Sequence, residues 1–225
     1  TVGTVAPAEV TRRKLAEMMV GSDLPQPEPR ATHVVDTVRL AVSHVTVKRP
    51  GGRELVHDVS FNIRSGEILG IAGVEGNGQF ELCSALLGRE PSTGSVVIDG
   101  HDVSHASVRK RMDAGIAYVP FDRQREGLML STSLWENNLL GQEEKYTKFG
   151  FIDVRAARSA CREVIKRFGV LTPNEEVPAF ALSGGNQQKL VVGRTMSMQP
   201  TVLLAAHPTR GIDVGAQAAV WEESR

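Results

Sequence analysis

The stretch Ala181-Leu182-Ser183-Gly184-Gly185-Asn186-Gln187-Gln188-Lys189 decides how this chain is read. A Ser-Gly-Gly turn runs directly into an apolar helix carrying Leu190, Val191, Val192 and Met196. Such a junction leaves backbone N–H groups unpaired at a helix N-terminus, beside a serine hydroxyl, where the helix dipole favours an anion. The turn therefore reads as a phosphate-sensing surface. Ser-Gly-Gly is also ordinary loop and capping chemistry, so the flanking sequence has to discriminate.

Upstream, Glu67-Ile68-Leu69-Gly70-Ile71-Ala72 reads as a short buried strand. It leads into Gly73-Val74-Glu75-Gly76-Asn77-Gly78-Gln79-Phe80, then a helix from Glu81 to Leu87 closed by Gly88. Strand, glycine loop and helix form the layout of a loop whose backbone N–H groups cradle phosphates. Gly73 and Gly78 keep the spacing of G-x-x-x-x-G-K-[S/T]. Gln79 stands at the lysine position, however, and Phe80 at that of the Mg²⁺-holding hydroxyl. Downstream, Val202 to Ala206 reads as a further buried strand, ending in His207-Pro208-Thr209-Arg210-Gly211-Ile212-Asp213.

In this order and spacing the three motifs resemble the nucleotide-binding domain of ABC transporters, over roughly residues 38 to 225. The loop G-V-E-G-N-G-Q, Tyr118-Val119-Pro120-Phe121-Asp122-Arg123, Arg125-Glu126-Gly127-Leu128 and the LSGGNQQK run narrow the likeness. They resemble the second of two fused domains in importers of simple sugars and nucleosides. Sugar importers of that group usually keep Asp-Glu before Pro-Thr-Arg-Gly, so Ala206-His207 leans towards the nucleoside branch. The resemblance implies an α/β fold: a P-loop NTPase (RecA-like) core, an antiparallel β-subdomain beside the nucleotide and an inserted α-helical subdomain. It assigns nucleotide contact to Gly73, Glu75, Gly76, Asn77, Gly78, Gln79 and Phe80. The signature falls on Leu182, Ser183, Gly184, Gly185, Asn186 and Gln187, and the D-loop on Asp213.

Phosphoryl transfer to water needs neutralised phosphates, a held Mg²⁺ and a group that positions the water. Gln79 keeps a dipole and loses the charge; a charge-assisted hydrogen bond contributes about 1.5–3 kcal/mol, or ~10- to 100-fold in affinity. By the resemblance, Ala206 stands where the Mg²⁺-linked aspartate belongs and Phe121 where a glutamine senses the γ-phosphate. His207 replaces the catalytic glutamate. A histidine takes a proton near neutral pH, but without a placed cation it has little to act upon. This half is therefore expected to hydrolyse ATP poorly or not at all at its own loop. Its signature, being intact, is expected to complete the ATP site of a first domain paired head to tail with it, with Mg²⁺ mainly there. Whether its own site holds static nucleotide or none stays open.

Val38 to Val47, Val56 to Ile63 and Ser95 to Ile98 read as strands, with turns at Pro50-Gly51-Gly52, Ser65-Gly66 and Asp99-Gly100. Lys48-Arg49-Pro50 lacks the aromatic residue that the family stacks on adenine. Ser133-Leu134-Trp135-Glu136 is a capping box opening a helix through Leu140. Asp153 caps a second helix with Ala157, Cys161, Val164, Ile165 and Phe168 on one stripe and Gly169 at its end. In the family this helical region receives a helix of the membrane subunit. Arg123, Arg125 and Glu126 are candidates for that contact, against plain solvation, and Trp135 reads as core rather than anchor.

Residues 1–21 resemble the end of a preceding nucleotide-binding domain, with an amphipathic helix from Glu9 to Val20. Residues 22–35 form a Pro-rich linker, Ser22-Asp23-Leu24-Pro25-Gln26-Pro27-Glu28-Pro29, that cannot be helical. Residues 36–225 form the domain itself, stopping before the family's switch histidine. The chain, which opens on Thr1, is thus expected to be a fragment of a tandem protein. The expected partners are that first domain, membrane permease subunits and, indirectly, a solute-binding lipoprotein, at the cytoplasmic face of the membrane.

Lys and Arg total 26 against 26 Asp and Glu, which leaves no basic excess for nucleic acid. Cys83 and Cys161 have no metal-like spacing and read as small buried hydrophobes, and no metal site of the chain's own is expected. No apolar run approaches the ~18–20 residues of a membrane span. An ordinary P-loop kinase or GTPase would need Lys and Ser/Thr after Gly78. A simple-sugar importer, a soluble ABC-type protein and a nucleotide-free structural homologue remain as alternatives.

Overall fold

A computed structural model describes Val10, residues 34–74 and residues 76–208. Of the expected N-terminal helix only Val10 is described, and of the expected linker only Val34 and Val35, the latter already paired with Ser65 as strand rather than linker; Glu75 and Asp213 lie outside the described residues. Two compact units emerge, one spanning residues 31–127 and 195–207, the other containing residues 128–194.

The first unit is built on an antiparallel sheet in the order β2-β1-β3-β4, formed by Val35–Lys48 (β1), Glu54–Ser65 (β2), Thr93–Ile98 (β3) and His101–Asp102 (β4). Alternation in β1 sends Leu40, Val42, Val45 and Val47 into the core, where they meet Val96 and Ile98 of β3. The same core takes Leu82, Ala85 and Leu86 of α1 (Gln79–Leu86). Between β1 and β3 the register slips after Ser43, at a left-handed His44 (φ 53°). Gly94 faces that bulge at φ 88°, where an added Cβ would stand 2.4 Å from the His44 carbonyl oxygen. Only glycine fits both the conformation and the gap.

The C-terminus of α1 is closed by a residue the sequence did not announce. Arg111, on α2 (Val108–Asp113), is buried and donates to the carbonyls of Ala85 (2.7 Å), Leu86 (2.9 Å) and Ser104 (2.8 Å). The guanidinium thus satisfies helix-end acceptors that would otherwise be orphaned. A parallel pair, Ile116–Val119 (β5) with Val202–Ala205 (β8), completes this unit in the register Ile116↔Val202 to Val119↔Ala205. Of β8 only Val202 is fully buried, so the strand is half-covered rather than buried throughout.

Glu67–Ala72, expected as a short buried strand, is not one. The segment has no ladder partner among the described residues, and Ile68, Leu69 and Ile71 are exposed. Apolar composition supplies the burial tendency, but a strand forms only against an edge that takes its N–H and C=O groups. In the described sheets β5 pairs with β8 alone.

The second unit is mainly helical. Its α3 (Leu134–Leu139) opens on a complete capping box: the Glu136 backbone N–H donates to the Ser133 hydroxyl and the Ser133 N–H to the Glu136 carboxylate. Buried Asn137 pins the preceding loop, accepting from Met129 N and donating to the Met129 carbonyl. A short hairpin, Thr147–Lys148 (β6) with Phe151–Ile152 (β7), leads to Asp153, which caps α4 (Val154–Arg167) by accepting from Ala156 N. Ala157, Cys161, Val164 and Phe168 are buried along one stripe, while Ile165 lies at its margin. Trp135 is half-buried, with the Arg158 guanidinium 5.5 Å from its ring centre. No helix among the described residues is long and apolar enough to cross a membrane.

Candidate functional site

The glycine loop turns through Gly76 (φ 92°) and Gly78 (φ 98°), both left-handed. A Cβ at Gly78 would stand 2.4 Å from the Leu55 carbonyl oxygen, so the loop closes on β2 without room for a side chain. Gly78 caps α1 with no side-chain hydrogen bond, leaving the helix N-terminus to the loop's own backbone. Gln79 folds back over Gly73 and donates from Nε2 to the Val74 carbonyl at 3.2 Å. A lysine there would bring a cation to a phosphate; the amide instead ties the loop to itself. Arg49 lies at the start of the β1–β2 turn, 4.0 Å from the Glu81 carboxylate in the first turn of α1. The residue that fails to supply an aromatic ring therefore brings a guanidinium beside this helix.

Three of the departures from the family's pattern, one in the glycine loop and two beyond it, meet in space. The rings of Phe80 and Phe121 lie 5.6 Å apart, tilted by 53°, and Phe121 and His207 lie 5.3 Å apart, tilted by 49°. Such tilted pairs contribute about 0.5–1.5 kcal/mol each beyond the area they bury. Buried Ala206 sits alongside in sequence, its N–H donating to Val119 O at 2.9 Å. Magnesium takes hard oxygen donors in near-octahedral array. Of the positions expected to hold the cation, Phe80 offers a phenyl ring and Ala206 a methyl group, and beside them stand the Phe121 ring and the His207 imidazole. No group of three or more His, Cys, Asp or Glu among the described residues could hold a metal ion. The donor set of the described residues does not fit a divalent cation.

Beyond Phe121 the chain makes one wide, π-helical turn, Arg123–Gly127, with Arg125 exposed. Glu126 accepts from Arg89 at 2.9 Å, and the Arg89 guanidinium lies 5.7 Å from the centre of the Tyr118 ring. Burial, reinforced by the Glu126 charge, pushes the Tyr118 phenol up to about 12. Glu126 is thus engaged within its own unit, and Arg125 is the more available of the expected contact residues.

Ser183, in the other unit, directly precedes α5 (Gly184–Ser197) and caps its first turn. Its hydroxyl oxygen accepts from Asn186 N at 3.4 Å and from Asn186 Nδ2 at 3.0 Å. Asn186 Oδ1 in turn accepts from Leu171 N at 2.9 Å, fastening the signature turn to the segment after α4. Lys189 Nζ donates to the Gly169 carbonyl at 3.1 Å, and Gln187 Nε2 to that of Ala179 at the same distance. Leu182 and Gln187 are buried, and Ser183 is exposed. The signature therefore divides its labour: Leu182, Asn186, Gln187 and Lys189 hold the turn, and Ser183 presents a hydroxyl at a helix N-terminus.

A glycine loop opening a helix, an antiparallel β-subdomain and a helical unit carrying a Ser-Gly-Gly turn define an ATP-binding cassette of the P-loop NTPase class. Among solved structures, a dimeric bacterial ABC transporter cassette superposes with a TM-score of 0.70 at 22% identity, over 82% of this chain and 81% of that one. The ABC transporter family model matches residues 56–210, and the chain belongs to that family. It is 39% identical to the guanosine import ATP-binding protein NupO of Bacillus subtilis over 219 residues, 96% of this chain and 43% of the relative. It is 36% identical to the ribose import ATP-binding protein RbsA of Geobacillus kaustophilus, over 98% of this chain and 44% of the relative. The chain thus spans less than half the length of these curated relatives.

Proposed function

We propose that this chain is the second ATP-binding half of an ABC importer for nucleosides or simple sugars, peripheral to the cytoplasmic face of the membrane. It lends Ser183, Gly184 and Gly185 to ATP held, with Mg²⁺, by a first nucleotide-binding domain. Its own loop is degenerate and hydrolyses poorly. The observation that carries this reading is a contrast between two places in one chain. Ser183 caps α5 with an exposed hydroxyl, whereas Phe80, Phe121 and His207, at the expected positions of the Mg²⁺-holding hydroxyl, the γ-phosphate-sensing glutamine and the catalytic glutamate, are packed rings.

The relatives' printed functions, guanosine and ribose import, favour solutes containing a sugar. Ala206-His207 in place of Asp-Glu favours the nucleoside branch. Asp213 would lie at the seam between the halves. Permease subunits would meet Arg123, Arg125 and Glu126, with a solute-binding lipoprotein delivering cargo to them. Turnover tests the reading: in the whole protein assembled with its membrane subunits, Ser183→Ala should lower ATP hydrolysis and solute uptake together. Unchanged turnover would refute the shared site.

A further inference from the structure

The aromatic cluster joins three segments that are distant in the chain. Phe80 is in the first turn of α1, Phe121 follows β5 by two residues, and His207 follows β8 by two. The β5 and β8 segments are already joined in register and extended by the bond from Ala206 N to Val119 O. What the ladder does not reach is the glycine-loop helix, and Phe80 bridges that gap through Phe121. His207 is held in a left-handed conformation (φ 48°) while it packs on Phe121, and Phe80 keeps its ring there although 48% exposed. A left-handed non-glycine residue and a half-exposed phenyl ring both carry a cost, which the ring contacts offset.

We propose that Phe80, Phe121 and His207 form a clip that replaces a divalent cation as the link between the glycine loop, the segment after β5 and the end of β8. The site then takes a nucleoside triphosphate as the metal-free anion. Its binding is indifferent to magnesium, and Phe121 stays docked whether or not nucleotide is present. This rests on the reading that the glycine loop faces a nucleotide, but not on the loan of Ser183 to another site.

Two measurements on the intact protein test it. The first uses ATP bearing a photoreactive group on its γ-phosphate, with label on the peptide containing residues 73–80 quantified by mass spectrometry. Labelling in magnesium and in excess EDTA should agree within about twofold, because among the described residues Phe80 and Ala206 leave the expected cation positions without an oxygen donor. A tenfold loss in EDTA, or no label under either condition, overturns the proposal. The second is amide exchange of residues 119–122. Phe121→Ala and, separately, Phe80→Ala should speed it about tenfold, from lost ring contacts, while Phe121→Tyr keeps the native rate. Unchanged exchange in both alanine variants overturns the clip. Failure of either measurement leaves the effect of Ser183→Ala on turnover untouched, so the two readings fall separately.

Discussion

Ser183→Ala tests a hydroxyl that has two tasks of unequal size. Within the chain it accepts from Asn186 N and Nδ2 and caps α5. Loss of an N-cap costs about 1 kcal/mol, against a folding stability on the order of 5–15 kcal/mol. For a domain of this size the melting temperature should fall by about 2–4 °C, and the folded population barely changes. Loss of an oriented donor to a transferring phosphoryl group costs about 2.7–4 kcal/mol, or ~10²–10³ in kcat. The predicted outcome is therefore an ATPase of the whole protein slowed about a hundredfold by a variant that is almost normally stable. Ser183→Asp sharpens the test, because aspartate caps as well as serine while its charge opposes the phosphate. It should keep the melting temperature and lose turnover at least as severely. Steady-state phosphate release and a thermal melt on the same samples read both quantities. If Ser183→Ala and Ser183→Asp stay within about threefold of the parent rate, a range below any donor loss of this kind, the reasoning fails.

Gln79→Lys alone should not awaken hydrolysis at this chain's own loop, since the oxygen donors for the cation are still missing; in a Ser183→Ala background, phosphate release should stay within about twofold, and a tenfold recovery would refute this. Gly193→Ala places a Cβ 2.7 Å from Val164 Cγ1 and 2.8 Å from Phe168 Cδ2, between α5 and α4. Overpacking of about 1–3 kcal/mol should outweigh the ~0.5–1 kcal/mol that alanine gains over glycine in a helix, so the urea midpoint should drop; a rise would contradict the close approach. The Ser133 hydroxyl, then its backbone N–H, holds the Glu136 carboxyl below the usual range. The folded chain then binds fewer protons than the unfolded one as pH falls below the ordinary carboxylate value, and the capping contribution disappears through the lowered folded value. Acid titration of stability should be shallower in Glu136→Gln, and an identical slope would remove Glu136 from the account.

Much of the molecule was legible along the chain wherever a structural choice is made by near neighbours. Ser133 with Glu136, Asp153 with Ala156 and Ser183 with Asn186 are bonds across three residues, written in the order of side chains that can cap a helix start. The alternation in β1 and the apolar stripe of α4 likewise follow from period alone. Gly73, Gly78 and the signature were readable for the same reason, since a tight turn before a helix needs particular residues at particular steps.

Tertiary structure decided what depends on a partner far away in sequence. Nothing local distinguishes Glu67–Ala72 from a strand, because its fate rests on whether an edge is there to pair with it. Arg111 looks like one more surface cation on a short helix until packing brings the end of α1 against it. Phe80, Phe121 and His207 each read as an isolated loss of function. Only the parallel register of β5 with β8, and the docking of α1 in their unit, bring the three rings within stacking distance. Side-chain chemistry sets what each residue can do, and the long-range pairing of backbone segments sets which residues do it together.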